Sequence, residues 1–293
     1  MHTGRETEAT PRAHDRLRSA ERAENFPVAL RVLPQPFRGR LKAIYDVVRT
    51  IDDLGDEGSG GPDERLAALD AFAADLALVW ATGEGPQAPV LRNLVPFACD
   101  GGLPRGPFER LLEANRVDQT VHAYHTWSDL LGYCRLSAEP IGLLVLAAAG
   151  IAPAPASMLC RESGHVCTAL QLLEHWQDVA EDRERGRVYI PAEDLERFGV
   201  AEDELDARRA GPRLRRLIAH ETARAVALLD AGSGIVRRLP AGPRVAVAGY
   251  VAGGRAAADA LRRHRFDPLA TPPRTRRRDV ARHLVVALAG SVR

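Results

Sequence analysis

Charge of one sign is missing from this sequence: 40 Lys and Arg against 39 Asp and Glu leave 40 − 39 = +1. A balance so close to zero gives no field with which to gather nucleic acid or hold an anionic membrane, so neither is read as the main partner. Long hydrophobic runs are missing as well. The longest, Ile141 to Ala152, contains two glycines and falls short of the roughly 20 residues a spanning helix needs. Residues 1–24 carry Arg, Glu and His but no apolar stretch of the kind a signal peptide requires. Cysteine is scarce, and Cys99, Cys134, Cys160 and Cys167 fit neither a zinc pattern nor a compact disulfide framework. No dinucleotide fingerprint is present either, because Gly253-Gly254 has the wrong spacing and follows no strand. The expectation is a reduced, soluble, cytoplasmic protein.

Aromatic residues are only 5% of the chain and β-branched residues rarely alternate, while Ala, Leu and Arg dominate, which favours helix over strand. Residues 1–20 read as a flexible leader and 21–293 as a single all-helical domain. Ordered chain is expected from Asn25-Phe26-Pro27, with Pro34 and Pro36 breaking the pattern before a helix over 37–57. The run Gly58-Ser59-Gly60-Gly61-Pro62 stops that helix. Leu66, Leu69, Phe72, Leu76, Val79 and Trp80 then recur at three- and four-residue steps, the buried face of a helix over 63–80. Further helices are expected at 90–98, 107–124 and 126–150, the last kinked at Pro140, and at 156–184. An irregular strap with short helices follows over 186–211, then helices at 213–231, 242–264 and 276–289. The basic cluster Arg274 to Arg278 reads as a solvated segment.

Two acidic stripes carry the chemistry. On a helix Tyr45, Arg49, Asp52 and Asp56 share one face, so the two carboxylates project together one turn apart. Gln171, Glu174, Asp178 and Asp182 form a second such face. Either stripe alone also reads as ordinary solvated helix surface. Two of them in otherwise apolar helices carry a repulsion that only a cation would offset. Facing aspartate pairs suit Mg²⁺, which takes hard oxygen ligands and is usually held by a few carboxylates together with phosphate oxygens. His175 is expected to pack beside the second stripe rather than to ligate.

These residues, with the Arg187-Val188-Tyr189-Ile190-Pro191 tail after the second stripe, resemble the squalene and phytoene synthase family of head-to-head prenyl transferases. The resemblance runs from about residue 25 to residue 278. Within the family the chain looks most like the bacterial hydroxysqualene synthase branch of hopanoid biosynthesis. The segments carrying that likeness are Glu24 to Ala29, Ala114 to Gln119, Tyr133 to Ala138 and Gly253 to Ala257.

The resemblance implies an all-α isoprenoid synthase (class I terpenoid synthase) bundle with a central cavity. It implies Asp52, Asp56, Asp178 and Asp182 as ligands of Mg²⁺, with Mn²⁺ as a substitute. Arg49 and Arg187 would contact diphosphate, Tyr45 and Tyr133 would serve phosphate or the reacting end, and Gln171 would sit at the cavity wall. The implied reaction ionises presqualene diphosphate and captures the rearranged cation with water, without NADPH. Functional coupling to a presqualene diphosphate synthase and transient contact with the membrane belong to the same expectation, with localisation cytoplasmic or peripheral to the membrane. The alternatives are squalene, dehydrosqualene or phytoene synthesis, another prenyl transfer, or a non-catalytic relative kept for binding or assembly. Three positions depart from the family pattern. Glu174 and Glu139 stand where Asn is usual, and Phe266 where a phosphate-contacting Tyr is often found. Glu174 is read as an oxygen ligand on the metal side or as a holder of the quenching water.

Overall fold

The protein, a computed structural model, is described over residues 35–56, 60–81, 83, 85–99 and 102–290. The leader, the start of ordered chain near residue 25 and the 24–29 segment lie outside these residues. Among the described residues there is no strand, and the chain is built from helices. These are α1 (Gln35–Asp56), α2 (Pro62–Ala77), α3 (Pro89–Arg92), α4 (Val95–Cys99), α5 (Gly106–Val117), α6 (Trp127–Ser137) and α7 (Glu139–Ala148). They continue as α8 (Met158–Gln177), α9 (Val179–Glu184), α10 (Ala192–Phe198), α11 (Pro212–Gly232), α12 (Ile235–Arg238), α13 (Ala241–Arg263) and α14 (Arg277–Ala289).

Sequence periodicity locates most of these helices, and the differences have local causes. The 126–150 segment is not kinked but cut at Ala138, and Pro140 lies in the first turn of α7, where its missing N–H leaves no helical bond unmade. Together α6 and α7 span 22 residues and contain an 18-residue window of mean hydropathy 1.4, long and apolar enough by composition to cross a membrane. Over half of that stretch is buried against other helices. The helix expected over 107–124 ends at Val117, because the backbone beyond it bonds a distant segment instead. The helix expected over 156–184 opens at Asp178, where φ −106° and ψ 19° leave the helical region. The carboxylates of Asp178, Glu181 and Asp182 crowd that turn, and like charges one turn apart oppose helix.

Helix α8 is the hub of the bundle. It is capped by Ser157, whose Oγ accepts from the Cys160 amide at 3.2 Å, and it packs against α6, α7, α11 and α13. The contact with α11 is close enough to demand glycine. A Cβ on Gly232 would lie 2.6 Å from the Glu162 carbonyl oxygen and 2.9 Å from the Val166 nitrogen, both backbone atoms of α8. Two apolar cores flank the hub. One is centred on α1, α7 and Val247 to Val251, the other on Trp176, Leu214, Leu217 and Leu261.

Gly232→Ala should lower stability by about 2 kcal/mol, the cost of overpacking where backbone cannot yield, read as a lowered Tm in thermal denaturation.

Candidate active site

Between α1, α5, α6, α8 and α13 lies a cavity of about 410 Å³, within the roughly 300–1,000 Å³ of small-molecule sites. Helix α1 buries Phe37, Leu41, Ile44, Val47 and Ile51 and turns Tyr45, Arg49, Asp52 and Asp56 to the cavity. From the other side come Gln171, Glu174, Asp178 and Asp182, with Tyr133 from α6 and Arg187 from the strap. All ten residues singled out by sequence therefore line one cavity. Its other walls are largely apolar, including Leu111, Ile141, Val145 and Leu170.

The polar end is held by specific contacts. Helices α1 and α5 meet at Gly55, where a Cβ would fall 2.2 Å from Asn115 Oδ1. That approach lets Asn115 Nδ2 donate to Asp52 Oδ1 at 3.3 Å, and Gln119 Nε2 donate to the Gly55 carbonyl at 3.1 Å. Arg49 reaches Asp53 at 2.8 Å along α1. Across the cavity Arg187 Nη2 donates to Asp56 Oδ1 at 2.8 Å, joining two segments 131 residues apart. Arg187 is placed by backbone: its own amide donates to the Asp182 carbonyl, and the next amide, of Val188, donates to His122 at 2.7 Å. The amides of Ala192 and Glu193 donate to Tyr124 and His125, which clips the strap down.

Opening the helix at Asp178 does not separate the second aspartate pair, because the Asp182 amide still donates to the Asp178 carbonyl at 2.8 Å. Burial, then the charges of Asp182 and Glu181, push the Asp178 carboxyl up to about 6. The donor set is all hard oxygen and short of compensating positive charge, so these residues fit a divalent cation of the magnesium type.

Among the lining residues not singled out as site candidates by sequence, five bear on the site. Asn115 supports Asp52. His175 is buried, meets Gln171 at 3.2 Å, stands 3.7 Å from Asp182 and stacks on Tyr189 with ring centroids 3.6 Å apart, so it packs beside the stripe as expected. Tyr189 completes an aromatic group with Tyr124 and Tyr133. Asp118 accepts a hydrogen bond from Tyr133 Oη at 2.8 Å, and burial raises its carboxyl to about 6 against that bond. Tyr250 closes the apolar side. Asp118 sits in the motif Ala114 to Gln119, but a lone acid has no periodic partner to mark it. Glu139 and Phe266 lie outside the cavity lining, so neither departure alters its wall.

A second donor group stands apart from the cavity. Asp194, His220 and Glu221 offer ligand atoms within 4.8 Å of one another, but Arg224 bonds Asp194 at 2.7 Å and Glu221 at 3.2 Å. Its guanidinium also lies 3.7 Å above the Trp127 ring, so an organic cation already fills the role of a metal there.

A family model described as squalene/phytoene synthase matches residues 19–282. The hydroxysqualene synthase of Sinorhizobium fredii is 33% identical over 221 residues, covering 74% of this chain and 72% of that protein. The presqualene diphosphate synthase of Zymomonas mobilis is 30% identical over 241 residues, 80% of each chain. Among solved structures, squalene synthase HpnC from Alicyclobacillus acidocaldarius shares 42% identity with a TM-score of 0.73, over 82% of this chain and 88% of that one. The all-α fold is thus that of the isoprenoid synthases.

The raised Asp178 value sets a stability test. A carboxyl whose folded value, about 6, exceeds its ordinary value of 3.8 destabilises the fold once ionised. That cost is full above the folded value and fades as pH falls toward the unfolded one. In chelator at about pH 7.5, Asp178→Asn should melt above the parent protein, with the gap closing near about pH 4, read by scanning fluorimetry.

Proposed function

Because the chain belongs to the squalene/phytoene synthase family, we propose that it is a hydroxysqualene synthase, converting presqualene diphosphate and water into hydroxysqualene and diphosphate. One observation carries this reading: both aspartate pairs and Arg187 converge on the polar end of a cavity whose remaining wall is largely apolar. The choice of branch is supported by the 33% and 42% identities to hydroxysqualene synthase and HpnC.

The division of labour follows from the two kinds of wall. Asp52, Asp56, Asp178 and Asp182 would hold Mg²⁺, with Mn²⁺ as a substitute. When bound, the metal neutralises the diphosphate and makes it a better leaving group. Arg49 and Arg187 place fixed positive charge where negative charge grows as the carbon–oxygen bond breaks, the largest lever a polar site has. Glu174 adds a further oxygen at the rim, and Gln171 bonds His175 at the wall. Tyr45 and Tyr133 also line the cavity and would serve phosphate or the reacting end. The apolar wall keeps bulk water from quenching the cation before it rearranges. No reduction occurs, so the reaction calls for no NADPH. The substrate and the alcohol product are both oily, which is why we place the protein in the cytoplasm in transient contact with the membrane, coupled to a presqualene diphosphate synthase.

A second reading, synthesis from farnesyl diphosphate, is favoured by the 30% identity to a presqualene diphosphate synthase. Purified protein with Mg²⁺ and no NADPH separates the two when given either diphosphate, with products resolved by gas chromatography and mass spectrometry. Hydroxysqualene from presqualene diphosphate alone is the expected outcome. A C30 product from farnesyl diphosphate would replace the reading, and Asp52→Asn should abolish turnover of whichever substrate is used.

A further inference from the structure

Water capture requires one water where the apolar wall otherwise excludes it, and two carboxylates outside the aspartate pairs line the cavity. Glu174 is solvent-exposed, so water beside it exchanges freely with bulk. Asp118 differs in every respect. It caps the C-terminus of α5, one turn after Asn115, which bonds Asp52, so it is anchored to the same wall as the first aspartate pair. Its Oδ2 is fixed by the Tyr133 hydroxyl at 2.8 Å. Its Oδ1 is fully buried and has no hydrogen-bond partner among the described residues. An ionised oxygen without a partner in such surroundings is costly, and native proteins keep few of them. Asp118 also lines the cavity, so its carboxylate borders the space a capturing water would occupy.

We infer that Asp118 is the catalytic residue whose carboxylate holds the capturing water and takes its proton. As the water oxygen bonds to the cationic carbon, one of its O–H bonds breaks and that proton passes to the carboxylate, giving a neutral alcohol and a carboxylic acid. No electron changes hands and no co-reactant is needed. Tyr133 is the positioning residue, because its hydrogen bond fixes the carboxylate at the cavity wall. Burial makes this carboxylate a stronger proton acceptor than an exposed one.

The inference rests on the hydroxysqualene reading, and the test keeps the two apart. Parent protein and Asp118→Asn are given presqualene diphosphate and Mg²⁺, and alcohol formed is measured per diphosphate released. Asn can still accept from Tyr133 but cannot take a proton, and circular dichroism checks that it folds. The expected result is diphosphate release within a few-fold of the parent, with the alcohol share reduced by about 100-fold in favour of hydrocarbons formed by proton loss. Asp118→Glu should restore much of the alcohol, and Asp118→Ser poses the same question should Asn fail to fold. An unchanged alcohol share in a folded Asn or Ser variant overturns the inference, even where release slows, since Asp118 would then only position Tyr133. Diphosphate release without any alcohol from the parent protein defeats the hydroxysqualene reading itself, before any variant is compared.

Discussion

Carboxylates gathered at the C-terminal ends of helices are the constraint on which the rest of this structure turns. Asp52 and Asp56 occupy the last turn of α1, and Asp178 caps the end of α8. A helix C-terminus already carries about half a negative charge, so each carboxylate stands where the backbone dipole makes it less welcome. Cations usually occupy such turns, yet α1 has no basic residue in its last turn. The protein answers locally and incompletely, with an amide from Asn115, an imidazole near Asp182 and the guanidinium of Arg187 on Asp56. What is left over is a strong attraction for positive charge at one end of a cavity that is apolar elsewhere.

Holding that arrangement falls to parts of the chain with no chemical role. The hub helix α8 must pass close to α11, which explains Gly232, and α1 must pass close to α5, which explains Gly55. The strap carries Arg187 and Tyr189 from one side of the site to the other. Its near end is pinned to the 122–125 backbone. The same part is tied further by the side chain of Glu193, which accepts from the Trp127 amide at 2.7 Å, and by the Asp194–Arg224 pair. Arg224 joins Glu221 as well, whose buried carboxyl is pushed up to about 8. Removing the guanidinium would strand two carboxylates in the interior, which is the usual reason such clusters persist.

Much of this was legible in the sequence. The i, i+4 spacing of Asp52 and Asp56, and of Asp178 and Asp182, survives intact because helical geometry is local, and all ten proposed site residues face one cavity. Legibility failed where the decisive partner is distant. Nothing near Val117 announces that residues 122–125 will bond the strap rather than continue a helix, since that pairing spans about 65 residues. Asp118 escaped notice for a related reason. Its meaning comes from Tyr133 across a turn and from burial, and neither leaves a periodic trace. Pro140 was visible as a disruption, but whether it bends a helix or begins one depends on whether the chain can break at Ala138.

The Arg187–Asp56 pair has a consequence for how ligands would meet this protein. Asp56 is 42% exposed while Arg187 is only 13% exposed, so the pair is open to exchange from the side of the acid. A divalent ion that claims Asp56 frees a guanidinium already positioned by backbone, and a diphosphate that claims the guanidinium frees the acid. Each arrival lowers the cost of the other, and thermodynamic linkage makes that help equal in both directions. On the proposed reading the pair would act as the site's own counterion, and cation and anion would each favour the arrival of the other.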